Sequence, residues 1–224
     1  MKVYFISGLG ADKRVFNRIK IPSGYQAVHL DWIDPLPNEK FSDYATRFSS
    51  LIDPGEEFIL VGLSFGGMLV TELGKTLAPK KIIIISSVSC QRELPWYFRW
   101  AGKMNLQKII SPSIYKRATL INRFMGPGDK EMKNIVYDYV RRINPEFIRW
   151  SLNEILHWDQ TQRPPGLIHI HGSNDHLLPC RYTKADYIVQ NGGHLMVLNM
   201  AGEVNRILKE VLEQQAKSEI GISK

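Results

Sequence analysis

Ser64 stands in Gly62-Leu63-Ser64-Phe65-Gly66, with Gly67 following, an apolar run Phe58-Ile59-Leu60-Val61 before it and a helical pattern after it. A serine in that setting can act as a nucleophile. A strand that turns sharply into a helix lifts the serine hydroxyl above a sheet, and small residues on either side let the backbone pass close by. The N-terminus of the following helix favours the negative charge that develops during attack. A hydroxyl is a weak nucleophile unless a base takes its proton. His194, in Gln190-Asn191-Gly192-Gly193-His194-Leu195, is the candidate base. A base of this kind needs a carboxylate to hold its tautomer and stabilise the imidazolium. Asp175, in His171-Gly172-Ser173-Asn174-Asp175-His176, is the candidate. The chemistry of such a set is acyl transfer, whose tetrahedral intermediate carries an oxyanion that needs N–H donors. The expected donors are the backbone N–H of Phe65 and that of Leu9, in the glycine-rich loop Ser7-Gly8-Leu9-Gly10-Ala11-Asp12.

These residues require a scaffold that brings them to one edge. Short β-rich runs over 2–6, 26–30, 58–62, 81–86, 167–171 and 186–189 alternate with helical patterns over 12–19, 41–52, 65–77 and 203–215. That alternation predicts a parallel sheet with crossover helices. Several of the runs are almost wholly apolar, Ile82-Ile83-Ile84-Ile85 above all, as strands covered on both faces must be. Leu9, Ser64, Asp175 and His194 each follow a predicted strand, and open α/β sheets bind ligands at the carboxyl ends of their strands.

Residues 91–160 break the alternation. Helical stretches are expected there over 95–110, 112–124, 129–143 and 145–158, with a sharp break at Gly126-Pro127-Gly128. The segment is rich in large aromatics, among them Trp96, Tyr97, Phe98, Trp100, Phe124, Tyr137, Tyr139, Trp150 and Trp158. We read 1–90 and 161–224 as an α/β core and 91–160 as a helical cap inserted in it. Some of these aromatics should line an apolar pocket and others should form the core of the helical layer. The tail, 216–224, is polar and is expected to fray.

Length and composition bound the reading. The chain has 224 residues, of which 44% are hydrophobic and 23% charged, in the ordinary range for a globular α/β domain. The start reads as a strand rather than a secretory leader, and no apolar run approaches membrane-spanning length. A cytoplasmic enzyme without membrane or nucleic-acid partners is therefore expected. The two cysteines, Cys90 and Cys180, read as free thiols. The net charge is +7, and residues 91–150 account for all of it, with 12 Lys or Arg against 5 Asp or Glu. That segment is either a solvated helical face or a patch that draws in an anionic group.

Taken together, Ser7-Gly8-Leu9-Gly10, Gly62-Leu63-Ser64-Phe65-Gly66-Gly67, His171-Gly172-Ser173-Asn174-Asp175 and Gly193-His194 resemble the α/β-hydrolase superfamily, in order from about residue 2 to residue 212. The likeness is to its small, cap-bearing branch of esterases and thioesterases. It implies a Ser-His-Asp mechanism through an acyl-enzyme, here on a small or medium ester or thioester as the small-molecule acyl substrate, and no cofactor or metal is expected; if the basic charge of the 91–150 segment is functional, the leaving group is anionic, such as coenzyme A or a carrier phosphopantetheine. It also implies an open, mostly parallel sheet of about six strands, lacking the two strands that usually come first. Ser7 stands where the family often has His, which raises the question of what braces the oxyanion loop.

Other patterns fail on spacing. Gly8-Leu9-Gly10 begins like a dinucleotide fingerprint, but Lys13 occupies the third glycine position. Gly74-Lys75-Thr76 lacks the earlier glycine of a P-loop, that place being Leu69. His169, His171, Asp175 and His176 hint at a metal set, yet three residues separate His171 from Asp175 where the H-x-H-x-D-H pattern allows one. Two other functions stay open at this level: a ligand-binding or signalling protein on a hydrolase scaffold, and a lyase using the same three residues.

Overall fold

The computed structural model describes residues 1–105 and 130–219. Its centre is a six-stranded sheet of β1 (Lys2–Ile6), β2 (Gln26–Leu30), β3 (Phe58–Leu63), β4 (Lys81–Ile85), β5 (Ile168–Gly172) and β6 (Tyr187–Val189). The strands lie in the order β2-β1-β3-β4-β5-β6. Every neighbouring pair is parallel. This is the open parallel sheet that the sequence predicts, and all strand ends that matter therefore point the same way.

The period of two along a strand divides the core into two layers. Val3, Phe5, Ile59, Val61, Ile83 and Ile85 face one side and pack with Val204, Ile207, Leu208 and Val211 of the C-terminal helix. Tyr4, Ile6, Leu60, Ile82 and Ile84 face the other and pack with Tyr44, Phe48, Leu69 and Leu73. Those last four lie on α1 (Phe41–Phe48) and α2 (Phe65–Thr76). Covering both faces explains why β3 and β4 are almost wholly apolar. The edge strand β2 is more open, with Gln26, Ala27 and His29 exposed.

Between β4 and β5 run α3 (Trp96–Lys103), α4 (Lys130–Arg142) and α5 (Pro145–His157). Helix α5 starts where the Asn144 side chain accepts a hydrogen bond from the Glu146 N–H, with Pro145 in the first turn. Helix α4 adds Ile135, Val136 and Tyr139 to one core layer, and α5 adds Phe147 to the other. After β6 come α6 (Met196–Asn199) and α7 (Ala201–Glu219). No helix among the described residues is long and apolar enough to cross a membrane.

Three helix expectations need correction. The pattern over 12–19 forms only a 3₁₀ turn, Lys13–Phe16, at whose start the Asp12 side chain accepts from the Arg14 N–H. Beyond it the Arg18 carbonyl accepts from Asn205 Nδ2 and the Lys20 N–H donates to Asn205 Oδ1, so these backbone groups are taken by a distant side chain instead of a continuing helix. The pattern over 95–110 is helical over Trp96–Lys103, with Asn105 in the left-handed region at φ +52°, and its positions 106–110 lie outside the described residues. In the other direction, helix persists into the polar tail as far as Glu219. The expected helix over 112–124, the break at Gly126–Gly128 and Phe124 lie outside the described residues.

Candidate active site

Ser64 joins β3 to α2 with φ +53° and ψ −118°, a region that L-residues with a side chain seldom occupy. The surroundings hold it there. Its N–H donates to Ile85 O at 2.9 Å, and its carbonyl accepts from Ser87 Oγ at 2.6 Å and from Gly67 N at 2.9 Å. The turn is so tight that a Cβ at Gly62 would strike Gly66 O, and one at Gly66 would strike the carbonyls of Ile6 and Ser7. A serine that precedes a helix ordinarily caps it with its hydroxyl. Ser64 makes no such bond. Its Oγ–H donates instead to His194 Nε2 at 2.9 Å.

The His194 Nδ1–H donates in turn to Asp175 Oδ2 at 2.8 Å. Asp175 and His194 lie on neighbouring loops that press together after β5 and β6. Asn174 N donates to Gly192 O at 2.9 Å, and a Cβ at Gly172 would collide with that same carbonyl. Oδ1 of Asp175 accepts from the N–H groups of both Leu177 and Leu178 at 2.9 Å. Burial pushes this carboxyl up, but the neighbouring His194, the His171 and His194 hydrogen bonds and the Leu178 N–H together hold it well below the usual carboxylate range. Asp175 is therefore ionised at neutral pH and orients His194 with Nε2 free to accept a proton.

The structure also gives the two strand histidines a place. His171 Nε2 donates to Leu178 O at 2.7 Å and lies 3.4 Å from Asp175 Oδ2. His171 Nδ1 accordingly accepts from His169 Nε2 at 2.9 Å. Both rings are buried and belong to one chain of bonds that ends beside Asp175. Among the described residues no group of His, Cys, Asp or Glu is arranged to hold a metal ion.

Burial, with His171 and Arg163 nearby, pushes the His169 imidazole down to about 3. The unfolded chain takes that proton near the ordinary histidine value of about 6.5. Between these values the unfolded state binds more protons, so stability falls as pH falls. A single such group contributes a slope of about 1.4 kcal/mol per pH unit. Urea unfolding of His169→Gln at pH 6, 5 and 4 should show a shallower loss of stability than the parent protein. Parallel pH dependences would dismiss this account.

The loop after β1 closes the site from the other side. Gly8 is so near that a Cβ there would sit 3.3 Å from Ser64 Cβ and 3.9 Å from its Oγ. Among the described residues, no hydrogen-bond acceptor is found for the backbone N–H of Leu9 or of Phe65, the first residue of α2. Ser7 is buried, and its Oγ donates to Ala11 O and accepts from Trp32 Nε1 at 3.1 Å. That answers the question which the absent histidine raised about this loop. Trp32 follows edge strand β2 in a stretch with no chemical pattern, and nothing in the sequence marks it for this place.

Ser64 and His194 open into a cavity of about 290 Å³. Its walls include Leu9, Val15 and Met68 from the α/β layers, and Leu94, Phe98, Val136, Tyr139, Ile143, Ile148, Leu152 and Ile155 from the segment between β4 and β5. Of the aromatics singled out in that segment, Phe98 and Tyr139 line the cavity. Trp150 packs 4.5 Å from Tyr44 and donates to Glu39 O at 2.7 Å. Trp158 is buried and donates to Glu72 at 2.7 Å. Trp96 and Trp100 are exposed.

A model described as "Alpha/beta hydrolase family" matches residues 3–207. Similar solved structures include a hydrolase from Pseudomonas aeruginosa, with 12% identity, TM-score 0.71 and coverage of 94% of this chain and 89% of that one. An esterase from Exiguobacterium antarcticum matches with 14% identity and TM-score 0.70 over 93% and 90% of the two chains. A thermophilic esterase from Thermogutta terrifontis matches with 12% identity and TM-score 0.63 over 96% and 90%. At such identities the likeness is one of fold. Comparison with curated protein sequences finds no match.

Proposed function

The chain belongs to the alpha/beta hydrolase family, and we propose that it is a serine hydrolase that cleaves an ester or thioester of an apolar acyl group. The observation that carries this reading is the unbroken relay from Ser64 Oγ through His194 to Asp175, at 2.9 and 2.8 Å, opening on an apolar cavity. Ser64 Oγ attacks the carbonyl carbon while His194 Nε2 takes its proton. The oxyanion that forms accepts from the N–H groups of Leu9 and Phe65. His194 returns the proton to the leaving alcohol or thiol, and the acyl group stays on Ser64. A water, activated by His194, then releases the carboxylic acid and restores Ser64.

The helices α3, α4 and α5 act as the cap in this reading, since they supply the outer wall of the cavity. No Lys, Arg, Asp or Glu among the described residues lines it. Arg142 and Arg149 of the basic segment pair instead with Asp138 and Glu146. The cavity thus suits a neutral acyl chain rather than a polyanion.

A fluorophosphonate probe should label the protein, and peptide mapping should put the label on Ser64. Among p-nitrophenyl esters, hexanoate should exceed acetate in kcat/KM by on the order of 100-fold, from four more buried methylenes at about 0.8 kcal/mol each. The hemisuccinate, with its carboxylate, should be the poorest. Absence of label on Ser64 would overturn the serine mechanism. Equal rates for hexanoate and acetate, or preference for the hemisuccinate, would overturn the apolar acyl group.

A further inference from the structure

The oxyanion-binding groups proposed above are two backbone N–H groups, and a backbone N–H is only as well aimed as its peptide plane. We infer that Trp32, supported by Ser7, is a positioning residue that aims the first of them, the Leu9 N–H; the inference rests on the serine-hydrolase reading of Ser64.

The argument begins with the peptide that joins Gly8 to Leu9. Its carbonyl oxygen and the Leu9 N–H belong to one planar unit and point in opposite directions. Anchoring the oxygen therefore sets the direction of the N–H. Gly8 O accepts from Trp32 Nε1 at 3.1 Å and from Ala11 N at 3.0 Å. The same indole N–H is shared with Ser7 Oγ at 3.1 Å, and Ser7 Oγ donates onward to Ala11 O. The loop is tied at Ser7, Gly8 and Ala11, with Trp32 binding two of these. Without those ties the glycines at 8 and 10 would leave the plane free to rotate, and the Leu9 donor would have to be ordered during each turnover.

The indole also packs on the side chain of the residue that carries the second donor, whose own peptide plane is held by the bonds to Ser64 O. The indole ring stacks on Phe65 at 5.1 Å between centroids and 11° between planes. Phe65 carries the other proposed N–H. A further contact is with Phe147 of α5, at 5.3 Å and 62°. One side chain thus touches the oxyanion loop, the residue after the nucleophile and the helix that helps to roof the cavity. None of these contacts involves the substrate, so the role of Trp32 is to position, not to react.

The test is Trp32→Phe, which keeps an aromatic ring against Phe65 and removes the indole N–H. Loss of a whole oxyanion donor costs on the order of 10²–10³ in kcat, so loosening one should lower kcat about tenfold. KM for p-nitrophenyl hexanoate should stay within about twofold, because the cavity wall is intact. An arylboronic acid, which forms a tetrahedral adduct on the serine, should lose about the same tenfold in affinity. Hexanoate, as a ground-state ligand, should bind as before. Rates are expressed per site counted by fluorophosphonate titration, so partial unfolding does not imitate the effect. If Trp32→Phe has no cooperative unfolding transition, Ser7→Ala is read the same way, with an expected loss of about threefold in kcat and in boronate affinity. Unchanged kcat per labelled site and unchanged boronate affinity would overturn the inference while leaving the serine mechanism standing. Failure of the parent protein to take the fluorophosphonate on Ser64 would overturn the mechanism, and this inference with it.

Discussion

Ser64→Ala is expected to lower kcat for p-nitrophenyl hexanoate by about 10⁵-fold or more and to abolish fluorophosphonate labelling. The substitution deletes one heavy atom, and that atom is the one that donates to His194 Nε2 at 2.9 Å. The rest of the elbow survives it. The bonds that hold position 64 at φ +53° are made by its backbone N–H and carbonyl, with Ile85, Gly67 and Ser87 as partners. The cavity wall loses nothing except that hydroxyl. Affinity for hexanoate should accordingly change by less than about threefold, and the unfolding midpoint by a few degrees at most. The measurement is steady-state kinetics beside a binding isotherm on the same sample. Retention of a tenth of the parent rate would show that another group attacks the carbonyl.

Asp175→Asn is expected to cost about 10⁴-fold in kcat, the second-largest effect, and the geometry explains why an isosteric change is so damaging. Oδ1 of Asp175 accepts from two backbone N–H groups, those of Leu177 and Leu178. In the variant the amide oxygen must take that place, because an NH₂ group there would face two donors. The NH₂ is thereby turned to where Oδ2 stood, against His194 Nδ1. An N–H cannot donate to an N–H, so His194 adopts the other tautomer, with its proton on Nε2. In that state it cannot accept the proton of Ser64. The fold should tolerate the change well enough for a cooperative thermal transition. A fall of less than about tenfold would mean that His194 keeps its working tautomer without the carboxylate, and the role assigned to Asp175 would be lost.

Much of this arrangement was legible in the chain because its signals are local. Short apolar runs mark strands, and the sheet has six, close to the expected bounds. The elbow pattern depends on small residues within two positions of Ser64, where the backbone contacts at Gly62 and Gly66 leave no room for a side chain. Asp175 and His194 follow strands that a parallel sheet must bring to one edge. The 12–19 segment misled because its apolar spacing is helical while the side chain of Asn205, far along the chain, takes the Arg18 carbonyl and the Lys20 N–H. The aromatics between β4 and β5 could not be sorted by periodicity. Whether Phe98 lines a cavity while Trp96 stays in solvent depends on how α3 rests on α5.

The sequence by itself determined the nucleophile candidate, its two partners and the sheet edge on which they meet. These follow from residue type, from short spacing and from the directionality of parallel strands. Only the tertiary structure decided what supports them. Trp32 meets Gly8 across 24 positions, and the His169–His171 pair reaches Asp175 by way of a strand face that reads as plain core. A lone indole N–H or a buried imidazole has many conceivable partners along a chain. Which one it finds is settled when distant loops are pressed together, and no local pattern records that choice.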